Sequence, residues 1–140
     1  MASKRERIIL AVVTAVTDIE GVREVIRAQV DAVPRDAGTV IAVASRVDEQ
    51  LALHNDQSER SLEIQVHVIV RSDSPSPDAV ADIYMTEAHA RIMEDTTLGG
   101  IVLKLIDTET RWDIESADLD VAVVTTIYRA SYRAHYKQLT

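Results

Sequence analysis

From Ser61 to Arg71 the chain alternates without interruption. Leu62, Ile64, Val66, Val68 and Val70 take one parity, and Ser61, Glu63, Gln65, His67, Ile69 and Arg71 take the other. Successive strand side chains point to opposite faces, so this pattern requires a β-strand with one face in a core and the other mostly wet. Such a strand needs neighbours for its backbone and a layer over its apolar side. The chain must therefore build a sheet and something to cover it.

The cover is legible on either side of the strand. Ser3-Lys4-Arg5-Glu6 has the spacing of a capping box, and Ile8, Ile9, Val12, Val13 and Val16 form one helical stripe that Gly21 ends. A second helix is expected over 78–94, with Ser76 at its cap, Pro77 at its first position and Asp78 at its positive end. Val80, Ile83, Tyr84, Ala88 and Ile92 line its apolar face, and Thr96–Gly100 breaks it. Residues 23–30 are weakly strand-like, Pro34–Gly38 forms a turn, and Val40–Val47 reads as an interior strand, apolar on both parities. The polar stretch 48–60 reads as a long connection, either mobile or a protruding hairpin that orders only against a neighbour. Leu98, Ile101, Val102 and Leu105 suggest a short helical turn. A strand over 104–115 follows, with Ile106, Trp112 and Ile114 on one parity, and then a final long strand from Leu119, apolar on both parities up to Ile127. Strand groups separated by single helices give an α+β domain over 1–140, an antiparallel-rich sheet with two main helices packed on one face.

Composition narrows the chemistry. There is no Cys, which excludes disulfides, thiolate metal sites and Cys nucleophiles. No apolar run approaches the ~20 residues of a membrane span, and no signal-peptide pattern opens the sequence. His54, His67, His89 and His135 lack zinc-site spacing, Gly99-Gly100 lacks the residues of a phosphate loop, and Ser72, Ser74 and Ser76 lack the glycines of a nucleophile elbow. Asp107, Glu109, Asp113 and Glu115 share a parity, either as a metal-binding row or as a solvated face interrupted by Arg111. No catalytic, cofactor or metal site is expected. The weak exception is His67 with Glu63 on one strand face, the basis for an alternative reading as a small ligand-binding domain or enzyme.

Charge and aromatics point to association. The net charge is −8, yet residues 1–10 carry Lys4, Arg5 and Arg7 against Glu6, and residues 126–140 carry Arg129, Arg133 and Lys137 with no acid. An acidic body between basic ends argues against gripping duplex DNA and fits ends that meet acidic partners, including copies of the chain. A merely solvated acidic surface is the other reading. Phe is absent, and Tyr128, Tyr132 and Tyr136, spaced by four, are three of the five aromatic residues. As a strand the segment separates Tyr and Ala from Arg, Ser and His; as a helix it stacks the Tyr in a stripe. Arg129, Tyr132, Arg133 and Tyr136, with Lys4 and Arg5, are thus interface candidates, since Tyr and Arg anchor interfaces well. Alternatively, Tyr128 finishes the core and the rest is a tail.

The stretch Asp95-Thr96-Thr97-Leu98-Gly99-Gly100-Ile101-Val102, after an amphipathic helix and before two closing strands, resembles the tail terminator proteins of tailed phages, the minor tail protein U-like or tail-completion family. The order of elements agrees over about residues 4–133. The sequence departs in having Gly38-Thr39 where relatives commonly place a Pro, and in a longer Tyr/Arg-rich end beyond Ile127. The resemblance implies a non-enzymatic ring without cofactors, typically hexameric. Such a ring caps the tail tube, stops its polymerisation and meets the head-completion or connector protein, within the virion tail or neck and assembled in the host cytoplasm. It implies a structural role for Thr97, Leu98, Gly99 and Gly100, and a hole through which DNA passes unbound. Asp48, Glu49, Asp56, Glu59, Asp107, Glu109 and Asp113 are the candidate lumen or rim acids. Another neck protein, a stopper or adaptor, is the alternative within this class.

Overall fold

The computed structural model describes residues 2–27, 38–71, 76–114 and 121–140, for Ile114 the backbone alone. Its elements are α1 (Lys4–Ala15), β1 (Glu24–Ile26), β2 (Val40–His54), β3 (Gln57–Arg71), α2 (Pro77–Met93), β4 (Lys104–Ile114) and β5 (Val121–His135). The strands form one sheet in the order β1-β2-β3-β5-β4, with β1 parallel to β2 and every other pair antiparallel. Both helices pack on one face, giving the α+β architecture read from the sequence. The turn expected at Pro34–Gly38, apart from Gly38, lies outside the described residues, as do Ser72, Ser74 and Glu115.

The 61–71 alternation does what its pattern requires. Leu62, Ile64, Val66, Val68 and Val70 join the core under Ile8, Ile9 and Val12 of α1 and Ala81, Met85, Ala88 and Ile92 of α2. The other parity is drier than expected at its far end, where His67 and Ile69 are buried. The cause is a second, smaller cluster on the helix-free face, made of Val40, Ala42, Ile69, Val121 and Val123 with Ile26 packed against it.

Three expectations are sharpened or corrected. Of the readings of 48–60, the protruding hairpin is the one adopted: β2 runs on to His54, β3 starts at Gln57, and only Asn55-Asp56 turns, with Asn55 at φ 55°. Asn tolerates that left-handed conformation well. The polarity belongs to an extension of the sheet whose β2 residues are mostly exposed, while Ser58 of β3 and Tyr132 and Ala134 of β5 are buried on its inner side. Secondly, β5 continues past Ile127 to His135, registered with β3 from Arg71↔Val121 to Gln57↔His135. The strand reading of the Tyr/Arg segment is the one adopted. Thirdly, Ile83 is exposed on α2, whose buried line is Ala81, Met85, Ala88 and Ile92.

A bulge between Asp107 and Glu109 breaks the parity assumed for β4. One extra residue moves everything after it to the other face. Ile106 therefore registers with Arg129 on the helix-free face, while Trp112 registers with Val124 on the helix face. The carboxylate row is split in the same way, with Asp107 opposite Tyr128 and Glu109 and Asp113 opposite Ile127 and Val123.

With no Phe available, Tyr128 and Tyr132 are the largest fully buried side chains, and each hydroxyl needs a partner. The Tyr128 hydroxyl lies 2.7 Å from His89 Nδ1 of α2, with the rings stacked. The Tyr132 hydroxyl donates to Asp48 Oδ2 of β2 at 2.8 Å. The same oxygen accepts from Arg5 Nη1 of α1 and Arg60 Nε of β3, each at 3.0 Å. Asp48 thus ties α1, β2, β3 and β5 together, with its side chain 8% exposed. At the other end of the α1–β1 connection, Gly21 (φ 90°) sits where any side chain would collide with the Tyr84 hydroxyl.

The Asp48 cluster is testable by denaturation. Asp48→Ala leaves two guanidinium groups and a buried hydroxyl without their acceptor, and is expected to cost about 3 kcal/mol of unfolding free energy in urea titrations. Tyr132→Phe removes one of the three bonds and should cost about 1–2 kcal/mol.

Candidate assembly surface

The two basic ends of the chain fold to one corner. The Lys4 amide donates to the Leu139 carbonyl at 2.9 Å, and Lys4 Nζ donates to the Arg133 carbonyl at 2.7 Å. The Ser3 hydroxyl accepts from the Glu6 amide, but the Glu6 carboxylate turns to Arg27 instead of closing the capping box. The Arg27 guanidinium holds Glu6 below the usual carboxylate range. Arg7 and Lys137 are exposed beside this corner's strands and helix.

Of the interface candidates, Tyr132 is overturned. It is 1% exposed and bonded to Asp48, so it anchors the fold, not a partner. Arg5 is likewise engaged with Asp48, and Lys4 with the C-terminal segment. Tyr136 remains 48% exposed, with its amide donating to the Asp56 carbonyl at 2.8 Å. Arg129 and Arg133 are exposed on the helix-free face, registered opposite Glu63 and Glu59 of the same chain.

The acids sort in the same way. The Asp48 side chain is 8% exposed and its Oδ2 holds three donors, so it faces the interior and not a lumen. Glu49, Asp56, Asp107, Glu109 and Asp113 are exposed, and Glu59 is partly so. Glu109 pairs with Arg111, whereas Glu49, Asp56, Glu59, Asp107 and Asp113 enter no ion pair within 4 Å among the described residues. The helix-free face is thus a mixed-charge surface in which Glu59 and Glu63 alternate along β3 beside Arg133 and Arg129 along β5. It is not the uniformly acidic surface that the net charge suggests.

The Asp95–Val102 stretch closes on itself. Asp95 Oδ1 accepts from the Thr97 amide and hydroxyl, at 2.9 and 2.7 Å, and Oδ2 accepts from the Gly99 amide at 2.9 Å. The Thr97 hydroxyl accepts from Gly100 N, and the Thr97 carbonyl accepts from Val102 N. These bonds hold the Asp95 carboxyl below its usual range, the Thr97 hydroxyl contributing most. Gly99 and Gly100 both have positive φ, and Leu98 is held at φ 48° with its side chain buried in the core. The glycines serve backbone geometry, and every donor near the carboxylate is used internally.

The ligand-binding alternative finds little geometry. A cleft of about 780 Å³ lies between α1 and the segment after α2, lined by Ala11, Thr14, Arg91, Glu94, Asp95 and Leu98 among others. Its one organised carboxylate, Asp95, is already engaged in the turn. Glu63 and His67 lie on one face of β3 but four residues apart, about 13 Å along the strand. Among the described residues no three His, Asp or Glu side chains converge.

Periodicity alone does not mark the sheet's two edges. Val47, Leu51 and Leu53 on β2, and Leu103, Ile106 and Trp112 on or beside β4, are 40–55% exposed. The signal was present in Leu51 and Leu53, apolar residues inside a polar stretch.

Two outcomes follow. His67 is buried with Nδ1 2.7 Å from the Thr125 hydroxyl, and burial lowers its pKa to about 4. The unfolded chain takes up that proton below about 6.5, so between these values acid favours unfolding. The urea midpoint should rise from pH 4 to pH 6.5, and His67→Gln should flatten that rise. In Asp95→Ala, amide hydrogen exchange at Thr97, Gly99 and Gly100 should accelerate while the amides of β3 keep their protection.

No protein-family model matches the chain, and no curated protein sequence matches it. Among solved structures it is similar to a chain described as the virion of a native gene transfer agent particle. The similarity has a TM-score of 0.46 and 12% identity, covering 94% of this chain and 92% of the other.

Proposed function

We propose that this chain is a virion structural protein that closes into a ring, probed first as a hexamer, on the end of a phage tail tube. The ring ends tube polymerisation, offers its other side to the head-completion or connector protein, and lets DNA pass through its hole. The observation that carries this reading is the Asp95–Val102 stretch and its setting. It follows α2 and precedes the closing pair β4 and β5, as in the tail terminator proteins it resembles. Its self-contained hydrogen bonding supports a structural role for Thr97, Leu98, Gly99 and Gly100 in place of ligand binding.

The surface supports assembly over turnover. Asp56, Asp107 and Asp113 are the exposed acids left as lumen or rim candidates, with Glu49 at the open β2 edge. Carboxylates on such a lumen repel phosphates over about a Debye length, ~10 Å at 0.1 M salt, so DNA slides without sticking. Arg129, Arg133, Tyr136 and the terminal corner supply contact residues for a neighbouring subunit, the tube protein or the connector. A ring of this kind requires heterologous contacts, one surface meeting a different one.

Native mass measurement and negative-stain imaging should find a closed ring. Added in small amounts to polymerising tail tubes, the protein should stop their growth at one end. A chain that stays monomeric at high concentration, with and without tubes, overturns the reading. Binding to the portal but not to the tube would instead favour a stopper or adaptor.

A further inference from the structure

The two edges of the sheet match in form and carry opposite charges at the ends of one shared row. β1 covers only Val40–Ala42 of β2, so among the described residues nothing pairs with the outer side of β2 from Val43 to His54. β4 is likewise unpaired on its outer side. Open edges of this length are templates for further strands. In this chain they also hold most of the exposed large apolar side chains outside the helices, Val47, Leu51 and Leu53 on one edge and Leu103, Ile106 and Trp112 on the other.

The rows across the sheet bring these edges into correspondence. Glu49, Ser61, Ser131 and Lys104 stand in one row, so its two ends carry opposite charges. Both end residues are exposed, and among the described residues neither enters an ion pair within 4 Å. The adjacent row on the helix face runs Asp48, Leu62, Ala130, Leu105. Beyond it on the helix-free face Glu63, Arg129 and Ile106 share a row, and Val47 lies at the β2 bulge beside it. If the sheet continued into a second copy without stagger, Glu49 would meet Lys104, and Val47 would meet Ile106. Strand direction permits this. β2 runs with β5 and against β3 and β4, so a neighbour's β4 arrives antiparallel to β2.

We infer that copies of this chain join head to tail through the sheet edges, β2 of one copy pairing antiparallel with β4 of the next around a Glu49–Lys104 contact. The inference rests on the ring reading above and names the contact that closes it. Bulges between Ser45 and Asp48, between Gln50 and Ala52, and between Asp107 and Glu109 leave only a short regular ladder around Asp48–Gln50 and Leu103–Leu105. Backbone pairing over so short a run is insufficient to drive open-ended aggregation. The charged and apolar side chains at the row ends then decide which edge is accepted.

A charge exchange tests this directly. Glu49→Lys and Lys104→Glu should each weaken self-association about tenfold by sedimentation velocity, because each sets like charges across the contact. An equimolar mixture of the two variants should recover the wild-type assembly, since alternating copies restore an opposite-charge pair at every junction. Thermal melts matching the wild type establish that the singles fold. As a second readout, the chain has no native Cys, so Glu49→Cys with Lys104→Cys gives a clean cross-link. Within one copy these positions are about 14 Å apart across three strand spacings, too far for a disulfide. Oxidation should therefore yield a ladder of covalently joined subunits. Assembly that survives both reversals, or cross-linking between two Lys104→Cys copies in place of the mixed pair, overturns the edge contact and leaves the ring reading standing. A wild-type chain that is monomeric under all conditions overturns both.

Discussion

Asp48 receives three hydrogen bonds on one carboxylate oxygen, from a helix, from its neighbouring strand and from the tyrosine two strands away. Removing a charge of this kind from water is costly, and the cost is recovered only when the surrounding donors are fixed in place. That requirement couples distant parts of the chain. α1 must present Arg5 at its first turn, β3 must present Arg60 at a matching row, and β5 must extend far enough to bring Tyr132 inward. The extension of β2, β3 and β5 beyond β4 is therefore not an appendage, because its base is where α1 is fastened to the sheet.

The aliphatic composition of the core explains why two tyrosines hold such central positions. Val, Ile, Leu and Ala fill most of the space between sheet and helices, and among the described residues Tyr128 and Tyr132 supply the fully buried rings there, with Tyr84 packed against the cluster from α2. Each ring introduces a hydroxyl that burial would leave unsatisfied, and burial pushes both hydroxyls up from their ordinary titration range. His89 and Asp48 satisfy them. The core thereby acquires two directional contacts that a Phe-based core would lack, one to α2 and one to β2.

Much of the architecture was legible because it depends on local periodicity. The β3 alternation, the α1 stripe and the Pro77 helix start each reflect one element burying one face. What escaped the sequence depends on relations between elements. Residues 48–60 read only as a connection or a protruding hairpin, because the buried position Ser58 is polar and Leu51 and Leu53 stay exposed, so no apolar parity marks the strands. The Ile106–Trp112 parity failed because a bulge has no compositional signature in Asp107-Thr108-Glu109. Tyr132 looked like an interface anchor because Tyr in an Arg-rich segment is ambiguous until its neighbours are known, and its partner Asp48 is 84 residues away in sequence. The charge segregation was real, but folding set Arg129 and Arg133 opposite Glu63 and Glu59, which a linear count of charges does not reveal.

The bulge in β4 has a consequence for how this surface can change. Thr108 occupies the extra position, its hydroxyl donating to the Ile127 carbonyl at 3.2 Å. The bulge absorbs that residue, so Asp107 and Glu109 pair with the adjacent Tyr128 and Ile127 although they stand two apart in sequence. Loss of the Thr108 codon would leave every pair from Lys104↔Ser131 to Ile114↔Ala122 in place and only straighten the strand, with Trp112 still on the helix face. An edge strand built this way can lose its extra residue, and with it local bend and twist, without turning over the chemistry it presents to a partner.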